Sequence, residues 1–191
     1  PVLKVEWIVE FTHFQFQLSD PESGGDTDPG SDIVEGHNVA ILVPEMLDFT
    51  VISPRYSQFC RLTIEVSDTR PEVDLDDWDQ AIECPLLVPS GKIAVWTPMG
   101  DTVYSAETRE RVENNFEVPK AVYCALILMG NLESTIARLR ADEDGVEYGT
   151  DRMPSDEELA ALDFYHIHLW PVAPMGTRLL KETRCLNDRS V

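Results

Sequence analysis

Residues 71–96 read PEVDLDDWDQAIECPLLVPSGKIAVW and set Asp74, Asp76, Asp77 and Asp79 around one tryptophan, Trp78, directly ahead of an apolar run. Like charges this close repel, and the repulsion has to be offset by water, by a bound cation or by a basic partner. Calcium wants several carboxylate oxygens, but an EF-hand loop needs a glycine at its sharp turn, and here no glycine is present and a tryptophan intrudes. DTDPGSDIVE (26–35) and DEDGVE (142–147) depart from that spacing too. Read as a solvated loop, the stretch lets Asp76 or Asp77 cap a turn of helix through DDWDQAIE. Read as an interface, it offers Trp78 as an anchor, with Asp74, Asp76, Asp77, Asp79 and Glu83 facing lysines or arginines. Asp142, Glu143, Asp144 and Glu147 are then a second contact. The plainer account of Trp78 is a staple that holds the loop to the body.

A second group with chemical potential is His166 and His168 in FYHIHLW. Two residues apart on a strand, both side chains project from one face. That spacing can hold zinc if two more ligands join. His13 and His37 are isolated and no HxH…E pattern follows, whereas Asp163 stands close in sequence. A His–Asp pairing is the plain expectation and a metal-dependent enzyme the sharper one. Other catalytic signatures are missing. PSG at 89–91 is a turn without a Gly-x-Ser-x-Gly elbow. The glycines of SGGDTDPG are flanked by acids, which repel phosphate. No catalytic residue and no cofactor is assigned.

The charge distribution separates these readings. The net charge is −20, from 35 acids and 15 bases. Segments 20–35, 65–83 and 142–158 together hold 22 of the acids and only 2 of the bases, Arg70 and Arg152, so the rest of the chain is neutral. A neutral body with three acidic patches repels nucleic acid and anionic membrane. It attracts cations or a basic protein. The four cysteines, Cys60, Cys84, Cys124 and Cys185, form no CxxC pair, and three of them lie in apolar runs. Buried thiols in a reducing cytoplasm are expected. PVLKVEWIVEF alternates with acids and does not have the form of a secretory signal.

The elements that must position these groups follow from period-2 alternation. Val5, Trp7, Val9 and Phe11 share one face, and Leu62, Ile64 and Val66 repeat the pattern. NVAILV, LDFTVIS, AIECPLLV, KIAVWT, RVENNFEV, AVYCALILM, FYHIHLW and TRLLK are further strand candidates, separated by turns such as VPSGK with Gly91. Helical spacing appears in NLESTIARLRA (131–141), and SDEELAAL (155–162) opens with a capping box, Ser155 with Glu158. The expectation is a mostly β protein, an antiparallel β-sandwich with one or two short helices. One domain spans 1–191, with an acidic Gly/Pro-rich loop at 19–37 and an acidic loop and helix insert at 131–162. Its edge strands leave self-association open.

Three motifs add a resemblance. Trp78–Asp79, Glu83, Leu86 and Val88–Pro89–Ser90–Gly91 form the first. Phe116, Val118 and Pro119 leading to Tyr123 form the second, and Leu169–Trp170–Pro171 the third. Over roughly residues 60–181 the pattern resembles small bacterial all-β proteins of the ComJ type, although Lys120–Ala121 stands where that pattern has a Pro-Gly-Thr turn. The resemblance implies a β-sandwich that binds and inhibits a nuclease, or more broadly an immunity protein that neutralises a toxin. Charge and resemblance together give an acidic, non-enzymatic, cytoplasmic binding protein with a basic protein as partner. A calcium- or small-ligand-binding sandwich is the alternative.

Overall fold

Alternating strands need two sheets to share one apolar interior, and the computed structural model of the protein shows this arrangement. It describes residues 3–11, 15–22, 39–41, 48–53, 58–97, 103–141, 153–173 and 178–181. In chain order the strands are β1 (Leu3–Phe11), β2 (Gln15–Ser19), β3 (Val39–Ile41), β4 (Asp48–Ile52), β5 (Gln58–Val66), β6 (Gln80–Val88), β7 (Lys92–Trp96), β8 (Val103–Ser105), β9 (Arg111–Val112), β10 (Asn115–Glu117) and β11 (Ala121–Gly130). Helices α1 (Leu132–Ala141) and α2 (Asp156–Ala160) precede β12 (Phe164–Pro171) and β13 (Arg178–Lys181). A 3₁₀ turn, Leu75–Asp77, lies between β5 and β6.

Eight strands form one sheet in the order β13-β6-β11-β12-β5-β1-β8-β9, and five form the other in the order β10-β7-β2-β4-β3. The fold is thus mostly β and sandwich-like, as expected. It departs from the expectation in one pairing, because β12 runs parallel to β5. The segment RVENNFEV also divides, with β9 pairing in the large sheet and β10 in the small one. The chain changes sheets at Asn114, whose Nδ2 donates to the carbonyl of Val95 while its own carbonyl accepts from the Val95 amide.

The interior between the sheets takes the alternating residues the sequence singles out. Trp7, Val9 and Phe11 of β1 and Leu62 and Ile64 of β5 meet Phe16, Leu18, Phe49, Val51, Ile93 and Val95 of the small sheet. A buried carboxylate reinforces this contact. Asp163 accepts hydrogen bonds from the hydroxyls of Ser53 (2.9 Å) and Tyr165 (2.6 Å), so a residue following β4 is tied to β12. Burial, with the Asp163 charge behind it, pushes the Tyr165 phenol well above its ordinary range.

The three motifs singled out in the sequence are structural joints. Gly91 holds φ +84, and its carbonyl accepts from the Val118 amide. Phe116 packs edge-on against Trp7 at 5.7 Å. The Tyr123 hydroxyl donates to the Pro119 carbonyl at 2.7 Å, closing the connection through Lys120–Ala121. Trp170 lies in a second apolar cluster with Leu126, Leu128 and Cys124, on the outer face of the large sheet. Cys60, Cys84 and Cys124 are buried and are not joined in disulfides, and Cys185 falls outside the described residues.

Gly130 ends β11 beneath the ring of Phe164, where a built Cβ would lie 2.3 Å from the ring. Phe164 is held from above by Trp78, centroid to centroid 5.5 Å, so the ring has little room to yield. Gly130→Ala is expected to lower unfolding free energy by roughly 1–3 kcal/mol through overpacking. Urea unfolding of the single variant and of Gly130→Ala/Phe164→Leu checks this, and the double variant should recover part of the loss.

Candidate functional site

The register of the large sheet determines which polar groups meet on its outer face. Cross-strand pairing aligns Glu83, Leu126, His168, Glu65 and Lys4 in one row across β6, β11, β12, β5 and β1. The adjacent row runs Ala81, Leu128, His166, Thr63 and Glu6. Both histidines therefore share a face, as the spacing predicts, but their acidic neighbour is Glu65 and not Asp163. Asp163 lies at the sheet interface with Ser53 and Tyr165, so the expected His–Asp pairing is not formed.

The cluster is close-set. His166 Nε2 stands 3.5 Å from Glu65 Oε1, and His168 Nδ1 stands 3.6 Å from Glu65 Oε2. The imidazoles stack at 4.2 Å. Lys4 reaches Glu6 at 2.9 Å and Glu65 at 3.7 Å. Desolvation dominates the titration of both rings. It lowers His166 against the opposing pull of Glu65, and with His166 beside it His168 falls to about 4. Near neutral pH the imidazoles are uncharged, and their ring nitrogens can serve as lone-pair donors. Among the described residues this is the one group of three or more His, Cys, Asp or Glu whose ligand atoms come within metal-binding reach.

The acidic stretch folds over the same face. Trp78 covers the edge of the histidine pair, 5.9 Å from the His166 ring, and continues into the outer apolar cluster with Val73 and Leu75. The fold uses several of the acids. Asp74, rather than Asp76 or Asp77, caps the 3₁₀ turn by accepting from the Asp76 amide at 3.0 Å. Asp79 turns toward α1 and accepts from the amides of Leu132 (2.6 Å) and Glu133 (3.3 Å), where a helix N-terminus favours a carboxylate. Its own amide donates to the Met129 carbonyl. Glu83 is fully buried and accepts from Arg70 at 2.7 Å. Lys181 of β13 donates to the carbonyls of Leu75 and Asp76.

Asp76 and Asp77 are exposed on this pinned turn, with Glu72 and Asp68 exposed beside them. The acids of the turn thus diverge. Asp74, Asp76, Asp77 and Asp79 do not gather around one point as a calcium loop would require. Asp142, Glu143, Asp144 and Glu147, most of the 19–37 loop, His13 and His37 lie outside the described residues. Glu65 is the member of this cluster that local sequence reading missed. Its only signal was alternation in FCRLTIEV, which places it opposite the core-facing Ile64 and Val66.

The pinned acidic turn and the polar cluster lie on the same face of a mostly β, sandwich-like fold. No family model matches the sequence, and no curated protein does. Among solved structures the chain is similar to ComJ from Bacillus subtilis, described as the inhibitor of the DNA-degrading activity of NucA. The TM-score is 0.50 at 15% identity, with 89% of this chain and 96% of that one covered. The product of crocagin biosynthetic gene J aligns with a TM-score of 0.49 at 13% identity, covering 90% of this chain and 98% of the other. The resemblance read from the three motifs is therefore present in the fold.

A proton-linked consequence follows for His168. Its folded pKa is depressed to about 4 against an ordinary 6.5. The unfolded chain thus binds more protons between those values, and stability present above about pH 6.5 declines as pH falls toward 4. In EDTA-treated protein this group is expected to contribute a loss on the order of 1–3 kcal/mol across that window. His168→Gln should flatten the profile there, read by urea unfolding at stepped pH. His166 and Glu65, which face the same ring, shape the remainder.

Proposed function

We propose that this protein is a non-enzymatic inhibitor of the immunity type, which neutralises a basic protein, foremost a nuclease, by covering its cationic surface. The observation that carries the reading is the acidic turn 68–77. It presents Asp68, Glu72, Asp76 and Asp77 to solvent from a segment locked by Asp79, Trp78 and Lys181. A locked carboxylate array suits partner binding because little ordering entropy remains to be lost on docking. Nucleases hold phosphates in basic clefts, and an acidic protein surface can occupy such a cleft in place of DNA. The likeness to ComJ supports the choice of target class.

In this reading Asp76 and Asp77 are the direct contacts and Asp74 completes the turn. Trp78, Asp79 and Glu83 maintain the shape of the surface from beneath. Asp142, Glu143, Asp144 and Glu147 supply a second acidic contact. The cytoplasm is the proposed site of action, in keeping with three buried cysteines that form no disulfide. No helix among the described residues is long and apolar enough to cross a membrane.

The target is sought by capture on the tagged chain from source lysate at low salt, with a salt step to elute and mass spectrometry to identify it. With the target in hand, Asp76→Lys/Asp77→Lys should slow association about tenfold or more at low salt, with less effect as ionic strength rises. Thermal melting should stay within about 2 °C of the parent, because neither side chain is buried. An unchanged on-rate at low salt removes the turn from the interface.

A further inference from the structure

The outer face of the large sheet holds a group that the binding function above does not use. The geometry points to Glu65, His166 and His168 as a divalent transition-metal site, with zinc as the ion it fits. Two imidazoles and one carboxylate are a borderline donor set that suits zinc and its first-row neighbours better than calcium or magnesium. The ligand atoms lie within 4.8 Å of one another.

The spacing is informative. Ligands about 2.0–2.2 Å from a tetrahedral zinc stand about 3.3–3.6 Å from one another. The two nitrogen–oxygen separations, 3.5 Å from His166 to Oε1 and 3.6 Å from His168 to Oε2, are of that size and long for hydrogen bonds, so a small turn of the carboxylate brings one oxygen within reach of a metal shared by both imidazoles.

A second observation comes from one atom. His166 Nε2 is buried and has no hydrogen-bond partner. A buried polar atom without a partner is unfavourable, and a metal bond would satisfy it. The ring packs against both Trp78 and His168, which orients the donor in advance. Three protein ligands leave a coordination position free, and the side chains of Glu65 and His166 are about a fifth exposed.

The nearest resident cation is Lys4, 3.7 Å from Glu65 and 2.9 Å from Glu6. Its ammonium competes for the same carboxylate without contacting either imidazole at ion-pair distance. Removing it should strengthen metal binding, a direction opposite to that expected for a lost structural ion pair.

The test uses the full chain, stripped with EDTA and titrated with zinc chloride by calorimetry, with metal content measured after gel filtration. One zinc per chain is expected, with a rise in melting temperature of about 5–10 °C at a hundredfold excess over Kd. Trp78 fluorescence should change with the same stoichiometry, and that change should vanish in Trp78→Phe. His166→Gln and Glu65→Gln should each weaken binding at least tenfold, whereas Lys4→Gln should tighten it several-fold. Asp76→Asn/Asp77→Asn, which removes surface carboxylates, should leave it unchanged. No stoichiometric zinc in the parent chain overturns the site. So does binding that survives Glu65→Gln or follows the Asp76/Asp77 variant. Glu65→Gln and Lys4→Gln alter partly exposed side chains, which keeps the test valid if a histidine variant fails to fold.

Discussion

The outer face of the eight-stranded sheet has to be kept from water at both ends, and most of the distinctive features of this protein follow from how that is done. At one end Val73, Leu75 and Trp78 lie over Leu126, Leu128 and Trp170. At the other, Leu159 of α2 meets Ile8 and Phe59, with Tyr104 and Leu162 at the margin. Each cover is a connection between strands, so the loops that carry charge are also the ones that bury apolar area. What remains between the covers is a polar window on β12, β5 and β1. Its histidines are desolvated by the cover on one side and left partly open on the other.

This arrangement explains how so acidic a segment can be ordered. Asp79 faces a helix N-terminus, Glu83 is held by Arg70, and Asp74 binds a backbone amide. Each of these carboxylates is stabilised by a donor that the fold places for it, so only part of the charge is left to repel itself at the surface. Arg70 is the sole base of residues 65–83, and it is committed to a buried acid. At the opposite end Arg61 and Arg109 converge on Asp156 at 2.9 and 2.6 Å and tie α2 to the sheet. Asn131, at φ 59, donates to the carbonyls of Ala160 and Leu162, linking the start of α1 to the end of α2.

Much of the fold was legible because alternation is a local signal. The inward sets of β1 and β5, the helix beginning after Asn131 and the capping box of Ser155 with Glu158 were all visible in short windows. What local windows cannot carry is neighbour identity. Nothing in FYHIHLW or FCRLTIEV says that these strands lie side by side in parallel, so Glu65 could not be joined to His166 and His168. The same limit applies to Asp79 and Glu83, which resemble surface acids until a helix amide and Arg70 arrive from elsewhere in the chain. RVENNFEV reads as one strand because its alternation is unbroken. The division at Asn114 depends on Val95, a residue of another strand.

The position of β12 also bears on how the chain becomes a protein. In the large sheet β13, β6 and β11 form one antiparallel block, and β5, β1, β8 and β9 form another. In the hydrogen-bonded order of the described strands the two blocks are joined by β12, which is made after nearly everything it joins. Until β12 inserts, β11 and β5 each present an unsatisfied row of amides and carbonyls, the kind of edge that recruits strands from other molecules. Such long-range closure is slow. The order of synthesis thus leaves the strand that joins the two blocks among the last to be made, and the edges it covers are open until then.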